Sequence, residues 1–185
     1  MQRAGFILTG GRSSRMGSDK ALFPWNGITV VEYLSRVVAS VAGSCTVVGH
    51  PERYSHLGLP CLRDVRPGRG PLSGIETALA ETSAEWNLVL SCDIPEVTAE
   101  QLELLFDHAV AGGAAVTLIR DAGGVLQPLC AVYHRRSLAA VRAALDRNEL
   151  RLLDVVHHLQ PAFFDIAQRV QNINTPEDWR AALLR

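Results

Sequence analysis

Apolar runs of strand length alternate along this chain with segments of helical period. Residues 3–8 read as a buried strand that runs into a glycine-rich, charged loop. Val30, Val31, Leu34, Val37, Val38 and Val41 form a helical stripe over residues 30–41. Thr46-Val47-Val48 is a short β-branched strand closed by Gly49, and residues 60–63 suggest another. Residues 72–82 look helical. Residues 86–91 hold Leu88-Val89-Leu90, an apolar run suited to a central parallel strand. Thr98-Ala99-Glu100-Gln101 is a capping-box pattern ahead of Leu102, Leu105, Phe106 and Ala109, so a helix starts there. Residues 114–119 and 129–134 predict further strands, and residues 137–145 and 150–158 two helices. Phe163 and Phe164 suggest a short edge strand. The last helix takes Thr175 as N-cap and Pro176 at its first position, where proline loses nothing.

Strand followed by helix, repeated without a linker, predicts an α/β fold: a single three-layer α/β/α domain over residues 1–185 with a mostly parallel, Rossmann-like sheet. Gly112-Gly113 and Gly123-Gly124 read as tight turns within it. At 185 residues, 48% of them hydrophobic, the chain can build a core without disulfides or a structural metal. Lys plus Arg number 18 against 19 for Asp plus Glu, a balance that argues against a DNA-binding face or a polybasic membrane anchor. Neutrality does not exclude a small anionic ligand, because a local cluster suffices. Cys45, Cys61, Cys92 and Cys130 form no CxxC pair, so no zinc ribbon or thioredoxin motif is supported. No apolar run approaches a membrane span, and the first residues do not build a secretory leader. The expectation is a reduced, soluble, cytoplasmic protein whose cysteines are small core residues.

In open α/β sheets ligands gather at the carboxyl ends of the strands, so chemistry is sought there. After the first strand comes Leu8-Thr9-Gly10-Gly11-Arg12-Ser13-Ser14-Arg15-Met16-Gly17-Ser18-Asp19-Lys20. Its three glycines permit close backbone approach, and Arg12, Arg15 and Lys20 put three cations within nine residues. A polyphosphate is the natural guest. The loop matches neither GxGxxG nor GxxxxGK[ST]. A second glycine loop runs from Asp64 through Gly68, Gly70 and Gly74, with Pro71 able to start a helix. Asp93 follows the central apolar strand and is well placed to hold Mg²⁺, which takes one or two carboxylates plus phosphate oxygens and water. Gln127-Pro128-Leu129 opens another strand with polar residues at both ends. Asn172 and Asn174 point to one side of an extended segment, serving either a ligand or ordinary turn and cap chemistry. The six histidines form no HxxxH or HExxH pattern, and His157 and His158 diverge on a helix. No GxSxG is present, and Cys92 has no assignable histidine base, so it reads as a packed thiol.

Leu8-Thr9-Gly10-Gly11-x-Ser13-x-Arg15-Met16-Gly17-x-Asp19-Lys20 resembles the LAGGxSxRMGxDK signature of molybdenum cofactor guanylyltransferases, the MobA family. The resemblance continues through Asp64, Gly70-Pro71-Leu72-Ser73-Gly74, Cys92-Asp93-Ile94-Pro95, Gln127-Pro128-Leu129 and Asn172-Ile173-Asn174-Thr175-Pro176-Glu177, and so covers almost the whole chain. The first loop alone marks a broader nucleotidyltransferase class; the later segments narrow it. The resemblance implies a sheet of the nucleotide-diphospho-sugar transferase type. It implies transfer of GMP from Mg-GTP to the terminal phosphate of Mo-molybdopterin, with release of pyrophosphate.

Carried over by position, Leu8, Thr9 and Gly10 would line the guanosine side, and Gly11, Arg15 and Lys20 would face the phosphates. Asp64 would lie near the guanine nucleotide, Gly70 and Gly74 would shape the nucleotide side of the cleft, and Asp93 would hold Mg²⁺. Asn172 and Asn174 would face the acceptor, as would Arg151, which falls where the family has a basic residue near the pterin phosphate. Transient contacts with the molybdenum insertase and apo-molybdoenzymes are implied, and nucleic acid is not. Two departures stand out. The family loop usually has Ala where this chain has Thr9, and some members carry a base-reading asparagine where this chain has Gly49-His50. A molybdopterin cytidylyltransferase and a non-catalytic nucleotide-binding module of the same fold are the alternatives. A sugar-phosphate nucleotidyltransferase fits the first loop but not the QPL and NINTPE segments.

Overall fold

The expected alternation is realised in a computed structural model that describes residues 2–9 and 19–184. The first half holds β1 (Arg3–Leu8), a hairpin of β2 (Pro24–Trp25) and β3 (Ile28–Thr29), α1 (Val30–Ala42), β4 (Cys45–Gly49), the single-turn α2 (Pro51–Tyr54), β5 (Cys61–Arg63), α3 (Pro71–Glu81) and β6 (Trp86–Ser91). The second holds α4 (Ala99–Gly112), β7 (Val116–Arg120), β8 (Leu126–His134), α5 (Leu138–Asp146), α6 (Leu152–His158), β9 (Ala162–Asp165) and α7 (Pro176–Leu183). The hairpin and α2 were not expected from the sequence, because two- and four-residue elements carry no measurable periodicity.

Seven strands form one sheet in the order β5–β4–β1–β6–β8–β7–β9. Neighbours are parallel except at β8, which runs against both β6 and β7. The mostly parallel α/β architecture is therefore present, and β9 is the edge strand that Phe163 and Phe164 suggested. Alternate side chains of β1 go to opposite faces of the pleat. Ile7 joins a core with α1, α4 and α7, while Phe6 and Leu8 join a second core with α3, α5 and α6. All six residues of β6 are buried, as a strand covered on both faces requires.

Helix starts follow the local chemistry. Thr98 Oγ1 accepts the Gln101 amide at 3.2 Å while Gln101 Oε1 accepts the Thr98 amide at 3.1 Å, so the capping box is closed. Thr175 caps α7, with Pro176 in its first turn. A third capping box, Thr29 with Glu32, opens α1. The four cysteines are unpaired, and Cys92 and Cys130 lie in the core. His157 and His158 are exposed on α6. No helix among the described residues is long and apolar enough to cross a membrane.

The chain's end is brought back to its beginning by aromatic packing. Trp179 of α7 meets the Phe23 ring edge-on at 5.1 Å and the Trp25 ring at 5.6 Å. Such contacts add to simple area burial. Trp179→Ala is expected to cost about 3–5 kcal/mol of folding stability. Urea unfolding of the two proteins measures it.

Candidate active site

The register of β1 levels the strand ends. Leu8 pairs with Val48 on one side and with Ser91 on the other. Thr9, Gly49 and Cys92 therefore emerge together on one rim. The reversed strand contributes to the same rim. Leu90 is opposite Cys130, so Gln127-Pro128-Leu129 enters β8 where β6 leaves the sheet.

Asp93 sits half-buried just past β6. The Ser91 hydroxyl donates to Asp93 Oδ1, and among the described residues Oδ2 has no side-chain donor. The Asp93 carbonyl accepts the Ile173 amide at 2.8 Å. The Ile173 carbonyl in turn accepts Lys20 Nζ at 2.7 Å, and Asn174 Oδ1 accepts the same ammonium at 3.2 Å. The β6 end, the exit of the first loop and the NINTP segment are thus one hydrogen-bonded unit. Ile173 is 2% exposed, anchored in the core, while Asn172 and Asn174 on either side are exposed. That is the one-sided presentation their spacing predicts. Lys20 has three N–H donors and uses two on this segment.

Asp64 follows β5 and has a buried Oδ1 with no partner among the described residues. Burial raises its carboxyl above the ordinary range, and the charge of nearby His50 opposes the rise. The backbone around it is pinned to α3. Thr77 Oγ1 accepts the Val65 amide at 3.0 Å, and Ser73 Oγ accepts the Arg66 amide at 3.3 Å. Glu76, 1% exposed, lies 3.1 Å from Arg66 Nε and 3.3 Å from Arg142 Nε. Two guanidiniums make this buried carboxylate tolerable.

Gly70 is the exposed N-cap of α3, with φ +69°. Gly74 is buried, and a Cβ there would stand 3.0 Å from both Leu8 methyl carbons. Gly74 thus lets α3 lie close on β1, and the Leu8 side chain belongs to the core under the cleft. Thr9 donates both its amide and its hydroxyl to the Val48 carbonyl, at 3.0 and 3.1 Å. A Cβ on Gly49 would overlap the Thr9 hydroxyl. The two departures from the family pattern are therefore one steric unit.

Arg151 is 88% exposed and 3.4 Å from Asp154. Its turn is joined to the loop after β5, through Arg66 on Asp146 at 2.5 Å and Arg69 on Asn148. Among the described residues no bond ties Arg151 itself to the other expected site residues. Gly10, Gly11, Arg12 and Arg15 lie outside the described residues. Sequence reasoning gave no role to Ser91, Thr77, Glu76, Asp19 or Tyr54. Asp19 carried a signal, its place in the DK pair; the others belong to no motif in the sequence. Burial and nearby Asp93 push the Cys92 thiol up, as befits a packed thiol rather than a nucleophile.

Among the described residues no three His, Cys, Asp or Glu side chains gather as a metal cage. Asp93 Oδ2, without a side-chain donor among the described residues, and the amide side chain on the linked segment are instead an all-oxygen donor set. It suits a hard divalent cation that completes its shell with phosphate oxygens and water. A hollow of about 950 Å³ at the opposite end of the sheet is lined by Arg3, Thr46, Cys61, Glu81 and Thr82 among others.

The family model for the MobA-like NTP transferase domain matches residues 5–162. A protein of Nostoc sp. named "Probable molybdenum cofactor guanylyltransferase" is 34% identical, over 93% of this chain and 86% of its own length. One of the same name from Carboxydothermus hydrogenoformans is 30% identical, over 96% and 93%. The crystal structure of molybdopterin-guanine dinucleotide biosynthesis protein A from Archaeoglobus fulgidus superposes with a TM-score of 0.81 at 20% identity, covering 97% of this chain and 96% of that one.

Two outcomes follow from the rim's geometry. Gly49→Ala is expected to cost about 1–3 kcal/mol by overpacking. Most of that cost should vanish in a Thr9→Ala background, where the added carbon meets the residue 9 Cβ at 3.4 Å. A double-mutant cycle in urea reads the coupling. The second concerns Asp64. An acid whose folded pKa lies above its unfolded value loses its proton first in the unfolded chain, so stability falls as pH rises through that window. Asp64→Asn should therefore melt higher than the parent at pH 7, with the gain gone below the ordinary aspartate value of 3.8. Thermal melts across a pH series test this.

Proposed function

The chain belongs to the MobA-like NTP transferase domain family, and from that premise we propose that it transfers GMP from Mg-GTP to the terminal phosphate of Mo-molybdopterin, releasing pyrophosphate. The observation that carries this reading is the unit formed by Asp93, Ile173, Asn174 and Lys20. It joins a metal-type carboxylate, a cation and an acceptor-side segment at one rim. The guanylyltransferase names of the relatives support GTP as donor.

In this reading a phosphate oxygen of the acceptor attacks the α-phosphorus, and the bond to the β-phosphate oxygen breaks with its electron pair leaving on pyrophosphate. The nucleophile is already an anion, so no general base is required. The obstacle is repulsion between anions, and catalysis is positioning and charge neutralisation. Mg²⁺ held by Asp93 would supply charge for the phosphates and polarise the α-phosphorus. The Ser91 hydroxyl orients the Asp93 carboxylate. Lys20 keeps one N–H for a phosphate oxygen while its other two hold the NINTP segment. Gly11 and Arg15 extend the phosphate contacts. Leu8, Thr9, Gly10, Asp64, Gly70 and Gly74 form the nucleoside side, with the Asp64 oxygen that no described residue satisfies as an acceptor for base N–H groups. Asn172, Asn174 and Arg151 receive the acceptor. We place the reaction in the cytoplasm, with product handed on through transient contact with the molybdenum insertase and apo-molybdoenzymes.

The test is pyrophosphate release with Mo-molybdopterin and either GTP or CTP. Release with GTP that excess CTP fails to suppress supports the reading; preference for CTP makes the chain a cytidylyltransferase. GTP binding without release makes it a binding module. Asp93→Ala and Lys20→Ala should each lose turnover by at least about 10²-fold with unchanged circular dichroism. Near-normal GMP transfer by either variant would overturn the assignment.

A further inference from the structure

One face of α3 is polar although it is buried. Ser73, Glu76 and Thr77 follow the i, i+3, i+4 spacing that brings side chains together on a helix. Each is at most 1% exposed. Leu72, Ile75, Ala78 and Leu79 of the same helix enter the core instead. The polar face meets residues 65 and 66. Thr77 Oγ1 accepts the Val65 amide at 3.0 Å, and its hydroxyl donates to the Ser73 carbonyl at 2.9 Å. Ser73 Oγ accepts the Arg66 amide at 3.3 Å. The Glu76 carboxylate forms a 3.1 Å ion pair with Arg66 Nε, and Arg66 Nη1 donates to Asp146 Oδ1 at 2.5 Å. Asp64 is the residue just before this pair. On its other side β5 is fixed to β4, with Leu62 opposite Val48 and Arg63 opposite Gly49. Asp64 is thus gripped from both sides, by the sheet and by the helix, while its buried Oδ1 has no partner among the described residues.

We propose that Ser73, Glu76 and Thr77 are positioning residues for the nucleotide: their face of α3 holds the backbone of residues 65 and 66, sets the place of the Asp64 carboxylate, and so sets the affinity for the nucleoside triphosphate. A buried polar face holds a helix in place less well than an apolar face of the same shape. Its cost is met here by bonds to one short stretch of loop, beside the one carboxylate that faces the base. A side chain that reads a ligand must be fixed by its supporting shell to within about half an ångström. Holding the loop before the ligand arrives also removes part of the ordering cost of binding. The acceptor segment is held separately, by Lys20 on Ile173. Loosening the α3 face should therefore act on the nucleotide and not on the acceptor.

This inference rests on the nucleotidyl-transfer reading with Asp64 as base acceptor, and the experiment separates the two. Thr77→Val removes the oxygen that accepts the Val65 amide, Thr77→Ser keeps it, and Ser73→Ala removes the acceptor of the Arg66 amide. The dissociation constant for Mg-GTP is measured by calorimetry, with steady-state constants for GTP and Mo-molybdopterin alongside. Thr77→Val and Ser73→Ala should each give a roughly 5- to 30-fold weaker Kd and a matching rise in the KM for GTP, the effect of one lost buried hydrogen bond. The acceptor KM and kcat should stay within about twofold, since no transition-state contact is removed. Thr77→Ser should bind GTP within about twofold of the parent. In an Asp64→Ala background Thr77→Val should add no further loss, because the group it places is gone. Parental GTP affinity in Thr77→Val and Ser73→Ala, Thr77→Ser as weak as Thr77→Val, an equal rise in both KM values, or full additivity with Asp64→Ala overturns the positioning role. So does loss of the folded circular dichroism in both Thr77→Val and Ser73→Ala, which makes the face structural. Parent protein that binds GTP but does not transfer it overturns the transfer reading and leaves the affinity cycle decisive. Parent protein that binds no nucleoside triphosphate overturns both.

Discussion

The rest of the molecule depends on the pairing of β1 with β4 on one flank and β6 on the other. Each pairing is parallel, and each apolar side chain of β1 has a covered face to enter. A slip of one residue would turn Ile7 into the core meant for Phe6 and Leu8. The register is therefore strongly specified, and it places Thr9, Gly49 and Cys92 at one level. A parallel sheet gathers its carboxyl ends on one rim, and this register makes that rim even enough for groups from separate strands to meet one ligand.

Charge on the rim is arranged by burial and by partner. Glu76 lies beneath the loop after β5 between two arginines, and Thr77 and Ser73 tie the backbone of that loop to α3. Asp64 is left with a buried oxygen that no group among the described residues satisfies. Among the described residues Asp93 Oδ2 has no side-chain donor, while Lys20 is partly spent on the neighbouring segment. The Asp64 and Asp93 oxygens thus offer acceptors at strand ends where a nucleotide and its cation would supply partners.

Much of the fold was legible because it is written in local periods. The β6 run, the Thr98 capping box and the Thr175-Pro176 start need only neighbours in sequence, and each is present where expected. The direction of β8 was also written, in the length of its connection. Only residues 121–125 separate β7 from β8, too few for the crossover that parallel neighbours require. That reversal carries Gln127-Pro128-Leu129 to the rim where β6 ends, and an apolar pattern alone has no sense of direction. Among the expected site residues, Lys20, Asp93 and Asn174 are drawn into one unit, whereas Arg151 stays on the surface with Asp154.

By itself the sequence determined the order of the longer elements, the two glycine loops and the residue types at each strand end, since these follow from spacing and side-chain chemistry along the chain. The tertiary structure decided which of those ends touch. Lys20 reaches Ile173 across 153 positions, Tyr54 reaches Asp19 across 35, and the Thr9 hydroxyl takes the space that Gly49 leaves. Such contacts are set by how closely helices pack on the sheet and where a terminal helix docks. Those distances come from the fit of buried surfaces, and no local period records them.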